Sequence, residues 1–118
     1  MADFETVTVA DLDAMGTEGL DALSFGVIGM QPDTTALFYN STEARAAGLK
    51  PAQVLGTPFF DAIAQCMNNF MVAQRFLDEP DLDAIIPYVL TLRMRPTKVR
   101  LRMLATAGAP HRYLLIER

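Results

Sequence analysis

The spacing of apolar residues changes near Asp83, and this change most constrains what the chain can fold into. The segment 70–79 has apolar residues at helical intervals and is followed by a proline. Beyond Asp83 apolar and polar residues alternate, so that Val99, Leu101 and Met103 would point to one face of a strand. A chain whose helical spacing gives way to strand spacing is predicted to form an α+β domain.

Glycine, proline and asparagine divide the chain into short elements. In chain order we predict a helical N-terminal cap (1–24), a strand hairpin (25–30 and 36–39), short helices between 40 and 66, a longer helix (70–79) and three strands (85–94, 97–104 and 112–117). We expect a five-stranded antiparallel sheet with helices on one face and the cap on the other. The 118 residues suit one domain, 1–118, made of the cap (1–24) and a core (25–118).

The charges are distributed unevenly along the chain. Thirteen of the 14 acidic residues lie within the first 83 positions, whereas seven of the 10 basic residues lie from Arg93 onward. Lys98, Arg100 and Arg102 would share one strand face, which in the simpler interpretation is a solvated basic surface. In the alternative, the acidic cap covers this face through screened charge pairs and modest apolar contact, and therefore detaches readily.

The composition disfavours several classes of protein. A net charge of −4 argues against nucleic acid as the main partner. No apolar stretch approaches the length that spans a bilayer, and the N-terminus is acidic, so we expect a cytoplasmic protein without membrane contact. No cysteine and histidine cluster supports a metal site. The one histidine, His111, is distant in sequence from Cys66, which disfavours a thiol-dependent acyl enzyme.

Cys66 is the only cysteine and therefore cannot form an internal disulfide. A lone cysteine is more often a small buried hydrophobe than a reactive group. A second interpretation arises because Tyr39 and Glu43 lie four residues apart across a predicted strand-to-helix junction, which can bring both to one side. A thiol, a phenol and a carboxyl on such a scaffold suggest a site that tethers and tunes a small acidic molecule.

Several segments resemble the photoactive yellow protein family and occur in the same order over nearly the whole chain. They are residues 20–26, Tyr39-Asn40 with Glu43, residues 50–56, Phe59-Phe60 before Cys66, and residues 94–99. A short deletion separates the last two matches. The resemblance implies a PAS fold, with which the order and length of the predicted elements agree.

The resemblance also implies a blue-light photoreceptor that carries 4-hydroxycinnamic (p-coumaric) acid as a thioester. Cys66 falls at the attachment position, and Tyr39 and Glu43 fall at the positions of the two groups bonded to the chromophore phenolate. Met94 falls at that of a residue assisting return to the dark state. Further residues would line or flank the pocket by their position in the match: Val27, Phe59, Phe60 and Leu90.

Two pocket positions depart from the family pattern. Ala47 stands where a hydroxyl would support the tyrosine, and Leu49 stands where an arginine would shield the pocket. The loss of one donor is expected to weaken the network that holds the phenolate. We therefore expect a dark state that is less purely anionic, with altered recovery kinetics.

The implied mechanism begins with light-driven trans-to-cis isomerisation of the chromophore. Glu43, a neutral donor in the dark, would give its proton to the phenolate and become a buried carboxylate without a partner. Such a charge costs roughly 3 to 5 kcal/mol, a large part of typical stability, so the structure would partly unfold and release the cap.

The signal would then pass to an unknown partner protein, and we expect a monomer or weak dimer that is not an enzyme. The alternative function is that of a PAS ligand-binding or protein-interaction module without a covalent chromophore. In that interpretation Cys66 serves as packing.

Overall fold

The computed structural model describes residues 3–91 and 95–118, within which five strands form one antiparallel sheet. The strands are β1 (Gly26–Met30), β2 (Ala36–Tyr39), β3 (Leu82–Leu90), β4 (Thr97–Ala105) and β5 (Arg112–Glu117). Their order across the sheet is β2-β1-β5-β4-β3. The C-terminal strand β5 therefore lies in the middle of the sheet, between the β1–β2 hairpin and the β3–β4 pair. This arrangement confirms the predicted five-stranded antiparallel sheet.

The helices are short, apart from the one in the cap. They are α1 (Val9–Asp21), α2 (Ser41–Ala47), α3 (Pro51–Val54), α4 (Phe59–Ala62) and α5 (Ala73–Asp78), with a 3₁₀ turn over Gln65–Met67. Thr8 and Asp11 form a capping box that begins α1, and Gly16, with a φ of 67°, interrupts the helix. No helix in the described part of the chain is long and apolar enough to cross a membrane.

The helices α3, α4 and α5 cover one face of the sheet. Their buried side chains, Phe60 and Phe76 among them, pack against strand residues such as Ile28, Leu101 and Ile116. We call this buried set the helix-side core. Residues on β4 alternate as predicted, because Val99, Leu101 and Met103 all belong to this core.

The cap covers the opposite face through a second buried set, which we call the cap-side core. It combines cap residues with strand residues: Phe4, Val7, Val9, Leu12, Leu20, Val27, Leu104, Tyr113 and Leu115. Burying one large apolar side chain contributes about 1.5 to 3 kcal/mol. The cap is therefore attached through more apolar contact than the sequence indicated.

Arg102 fastens the cap to β4. Its side chain is only 5% exposed, and Nη1 donates to the backbone oxygens of Phe4 (2.9 Å) and Val7 (2.8 Å). Its other nitrogens donate to both carboxylate oxygens of Asp83, at 2.9 and 3.1 Å. Arg100 also pairs with Glu5 of the cap at 3.3 Å, whereas Lys98 is exposed. The cap thus covers part of the basic face of β4, the part that holds Arg100 and Arg102.

The boundaries of two elements, α5 and β3, differ from the prediction. The side chain of Asn69 accepts hydrogen bonds from two following backbone amides, at 3.0 and 3.2 Å, so a turn precedes α5 and the helix begins at Ala73. The apolar residues at helical spacing in 70–79 are Phe70, Ala73, Phe76 and Leu77. Ala73 and Phe76 are buried, whereas Phe70, which lies in the turn, and Leu77 are exposed. Strand β3 also begins and ends earlier than the predicted 85–94.

Candidate functional site

Asn40 sets the position of the helix that carries Glu43. It is 2% exposed, and its Oδ1 accepts from the backbone amides of Glu43 (3.0 Å) and Val27 (2.9 Å). Its Nδ2 donates to the backbone oxygens of Leu20 (2.9 Å) and Phe25 (3.0 Å). One side chain therefore caps α2 and ties the start of that helix to β1 and to the end of the cap.

Glu43 is buried, and the structure gives it a partner that sequence reasoning missed. Its Oε1 and Oε2 accept from Nη1 and Nη2 of Arg118 at 2.6 and 3.1 Å, with side-chain exposures of 2% for Glu43 and 27% for Arg118. These hydrogen bonds raise the pKa of Arg118, and burial opposes them. The expectation that Glu43 lacks a partner after proton transfer did not include Arg118, which binds both of its carboxyl oxygens here. No local pattern signals a contact between residues 75 positions apart.

Tyr39 lies at the end of β2 and belongs to the helix-side core. Burial raises its pKa well above the ordinary value, the charge of Glu43 raises it further, and Arg118 acts in the opposite direction. The phenol of Tyr39 is therefore neutral across the physiological range and is available as a hydrogen-bond donor. Tyr39, Glu43 and Arg118 form one electrostatically coupled group.

Cys66 is a free, partly buried cysteine in the 3₁₀ turn after α4, packed against the helix-side core. Its backbone oxygen accepts from the hydroxyl of Tyr88 (2.6 Å) and from Nδ2 of Asn69 (3.3 Å). Asn69 Nδ2 also donates to the Tyr88 hydroxyl at 2.7 Å. Tyr88 and Asn69 were not predicted as site residues, and together they fix the backbone beside the thiol.

The residues predicted to line the site lie in or against the helix-side core, together with Cys66 and Tyr39, with one exception. Phe59, Phe60 and Leu90 are buried in the helix-side core, and Leu49 is partly buried against it. Val27 instead packs in the cap-side core, so the prediction that it lines this site is wrong. The physical reason is that successive side chains of a strand point to opposite faces of the sheet. The neighbours of Val27 on β1 face the helices, so Val27 faces the cap.

The two remaining predicted residues are placed as follows. Ala47 is buried at the C-terminal end of α2, one turn after Glu43, where its methyl group offers no hydrogen bond. The prediction for Met94 lies outside the described residues. Within them, a free thiol, a buried phenol and two aromatic rings adjoin one apolar core.

The architecture defines the class of protein. An antiparallel sheet of order β2-β1-β5-β4-β3, with the intervening helices on one face, is the arrangement of a PAS domain. A PAS domain of an HTR-like protein from Haloarcula marismortui matches 93% of this chain and 98% of its own at a TM-score of 0.66. Its 14% sequence identity supports the fold alone.

More similar relatives identify the family within that class. A photoactive yellow protein from Rhodothalassium salexigens is 33% identical over 107 residues, covering 88% of this chain and 86% of the relative. One from Halochromatium salexigens is 32% identical over 92 residues, covering 75% and 74%. The photoactive yellow protein domain of the sensor histidine kinase Ppr from Rhodospirillum centenum has a TM-score of 0.84 and 31% identity, covering 92% and 98%. No protein-family model matches the chain. The chain belongs to the photoactive yellow protein family of PAS-fold photoreceptors.

Proposed function

We propose that this protein is a blue-light photoreceptor that holds p-coumaric acid as a thioester on Cys66, within one domain formed by the cap (1–24) and the core (25–118). The observation that carries the proposal is that the free thiol of Cys66 and the buried phenol of Tyr39 adjoin the same apolar core. Phe59 and Phe60 supply aromatic surface in that core. A flat conjugated acid suits a space bounded by aromatic rings, with a nucleophile at one end and polar groups at the other.

Attachment requires an activated ester of p-coumaric acid. The Cys66 sulfur attacks the ester carbonyl, the bond from carbon to sulfur forms, and the bond to the leaving group breaks. The leaving group takes the thiol proton, so the reaction needs no oxidant. Tyr88 and Asn69 both donate to the Cys66 backbone oxygen, and these bonds would keep the backbone beside the sulfur in place during and after this step.

The phenolic oxygen of the chromophore would be bound by Tyr39 and Glu43. A phenolate in an apolar site is stabilised by charge-assisted hydrogen bonds, and Tyr39 supplies a neutral hydroxyl for one of them. In molecules that hold the chromophore as a phenolate, Glu43 supplies the second bond as a protonated carboxyl. After isomerisation that carboxyl would transfer its proton to the phenolate oxygen.

The helix α2 connects this event to the cap. Three successive residues at its start bond to the end of the cap: Asn40 to Leu20, Ser41 to Asp21 at 2.7 Å, and Thr42 to Leu23 at 2.5 Å. A displacement of Glu43 strains these bonds, because Glu43 lies in the first turn of the same short helix. We infer that isomerisation loosens the cap and that the exposed face signals to a partner protein.

The test is to add an activated p-coumaric ester to the apoprotein. We expect the mass of one hydroxycinnamoyl group, located on the peptide that contains Cys66, and an absorption band that survives denaturation without reductant. Cys66→Ala should gain neither. If Cys66→Ala instead gains a band that is lost on denaturation, with no added mass, the acid is held noncovalently and the ligand-binding alternative is correct. Continuous turnover of the ester would instead indicate an enzyme.

A further inference from the structure

The ion pair of Glu43 and Arg118 lies at the phenolic end of the proposed chromophore site. Strand β5 pairs with β1 so that Gly26 is opposite Ile116, and Arg118 follows at the end of β5. Glycine at position 26 leaves the space that the Glu43 carboxyl occupies, since an added Cβ would lie 2.1 Å from Glu43 Oε1. The register of the sheet and the missing side chain thus bring the carboxyl and the guanidinium together.

Within residues 3–91 and 95–118, few charged or titratable groups face Glu43 from the elements packed around it. Arg118 approaches from the end of β5 and Tyr39 from β2. From the cap, Asp21 faces the start of α2, where its carboxylate accepts from the backbone amide of Ser41. On β1, Gly26 contributes no side chain. Among these groups Arg118 is the cation, and it meets the Glu43 carboxylate with two hydrogen bonds.

We propose that Arg118 holds Glu43 as a carboxylate in a large share of dark-state molecules, so that the proton lies on the chromophore phenol. This inference rests on the proposed function. The phenol then donates to Glu43, and the charges of phenol, Glu43 and Arg118 are 0, −1 and +1. In the competing arrangement the phenolate carries −1, Glu43 is neutral and Arg118 keeps +1. One proton moves between two oxygens and the total charge is unchanged.

Geometry decides between these two arrangements. Arg118 bonds directly to both Glu43 oxygens, so a negative charge on Glu43 gains two charge-assisted hydrogen bonds. A negative charge on the chromophore would leave the guanidinium bound to a neutral carboxyl, which is a weaker acceptor. Arg118 therefore favours the neutral phenol, whose absorption lies in the near-ultraviolet, over the visible-absorbing phenolate.

The experiment compares Arg118→Gln with Arg45→Gln in proteins loaded with p-coumaric acid. Arg45 is an exposed residue on the same helix as Glu43, so its variant removes the same charge away from the ion pair. We expect Arg118→Gln to raise the ratio of visible to near-ultraviolet absorbance at neutral pH about tenfold. A change of this size in the protonation equilibrium corresponds to the free energy of one hydrogen bond to a charged group. Arg45→Gln should leave the ratio unchanged.

A second readout follows the proton itself. Isotope-edited infrared spectra should contain a protonated-carboxyl band in dark Arg118→Gln that is much weaker in the wild type, and Glu43→Gln should remove it. An unchanged band ratio in Arg118→Gln, or an equally strong carboxyl band in the wild type, would overturn the inference. Failure of the proposed function is distinguishable, because Cys66 would then gain no hydroxycinnamoyl mass in any variant.

Discussion

Gly26 and Glu43 are in such close contact that the glycine has no room for a side chain. An ideal Cβ at position 26 would lie 2.1 Å from Glu43 Oε1 and 3.0 Å from its Cδ. Contacts below 3.0 Å require one of the two groups to move. Since Glu43 is also held by Arg118, its carboxyl has little freedom to yield. The strand residue thus helps to fix where the carboxyl lies.

Gly26→Ala is expected to displace the Glu43 carboxyl and to lower the free energy of unfolding by about 1 to 3 kcal/mol. The matched control is Gly29→Ala on the same strand, whose Cβ would lie 2.5 Å from Phe38 Cδ2 on the cap side. Both variants should be less stable in urea unfolding. Only Gly26→Ala should also change the absorption band of the loaded protein. Equal bands in the two variants would show that the Glu43 position does not affect the chromophore.

Arg102→Gln is expected to loosen the cap. The substitution removes the guanidinium that binds the backbone oxygens of Phe4 and Val7, and the loss should be about 2 to 4 kcal/mol. Amide hydrogen exchange in residues 3–24 should accelerate more than exchange in β1 and β5. Lys98→Gln, an exposed change on the same strand, serves as the control and should leave the cap protected. Uniform acceleration throughout the chain would argue against a separate opening of the cap.

Because the pKa of Tyr113 is raised in the folded protein, we expect the free energy of unfolding to fall at alkaline pH. Burial raises the pKa of this tyrosine, and its hydrogen bond to Asp13 at 2.6 Å raises it further. The folded protein therefore keeps the phenol proton to a higher pH than the unfolded chain, so this contribution is complete below about pH 10 and declines above it.

Tyr113→Phe should lower the free energy of unfolding by about 1 to 2 kcal/mol at neutral pH. It should also make the decline above pH 10 shallower, although Tyr39, whose pKa is raised as well, should still contribute. Urea unfolding at a series of pH values measures both effects. A parallel pH dependence in wild type and variant would contradict the assignment.

Tyr88→Phe is expected to free the backbone beside Cys66. The substitution removes the 2.6 Å bond to the Cys66 oxygen but keeps the aromatic ring, and Asn69 still donates to that oxygen. We expect a stability loss of about 1 kcal/mol and faster hydrogen exchange in residues 65–69. Exchange in α2 is the internal reference, since the Tyr88 hydroxyl is hydrogen-bonded to Cys66 and Asn69, both outside that helix. Unchanged exchange in 65–69 would mean that Asn69 alone fixes the turn.

Much of the fold could be predicted from the sequence because the relevant forces act over a few residues. The capping box of Thr8 and Asp11, the break at Gly16 and the alternation along β4 each depend on neighbours within one or two turns or strand pairs. The start of α5 was predicted too early, since nothing in the local spacing indicates that the side chain of Asn69 binds two amides in a preceding turn.

The sequence by itself determined the fold class and the family, and it predicts a set of site residues that includes Cys66, Tyr39 and Glu43. Tertiary structure decided which groups meet them. Arg118 reaches Glu43 across 75 positions because β5 lies beside β1 in one particular register, and Val27 faces the cap for the same reason. Strand pairing fixes such contacts over long distances in the chain, whereas periodicity and turn chemistry report only on the residues nearby.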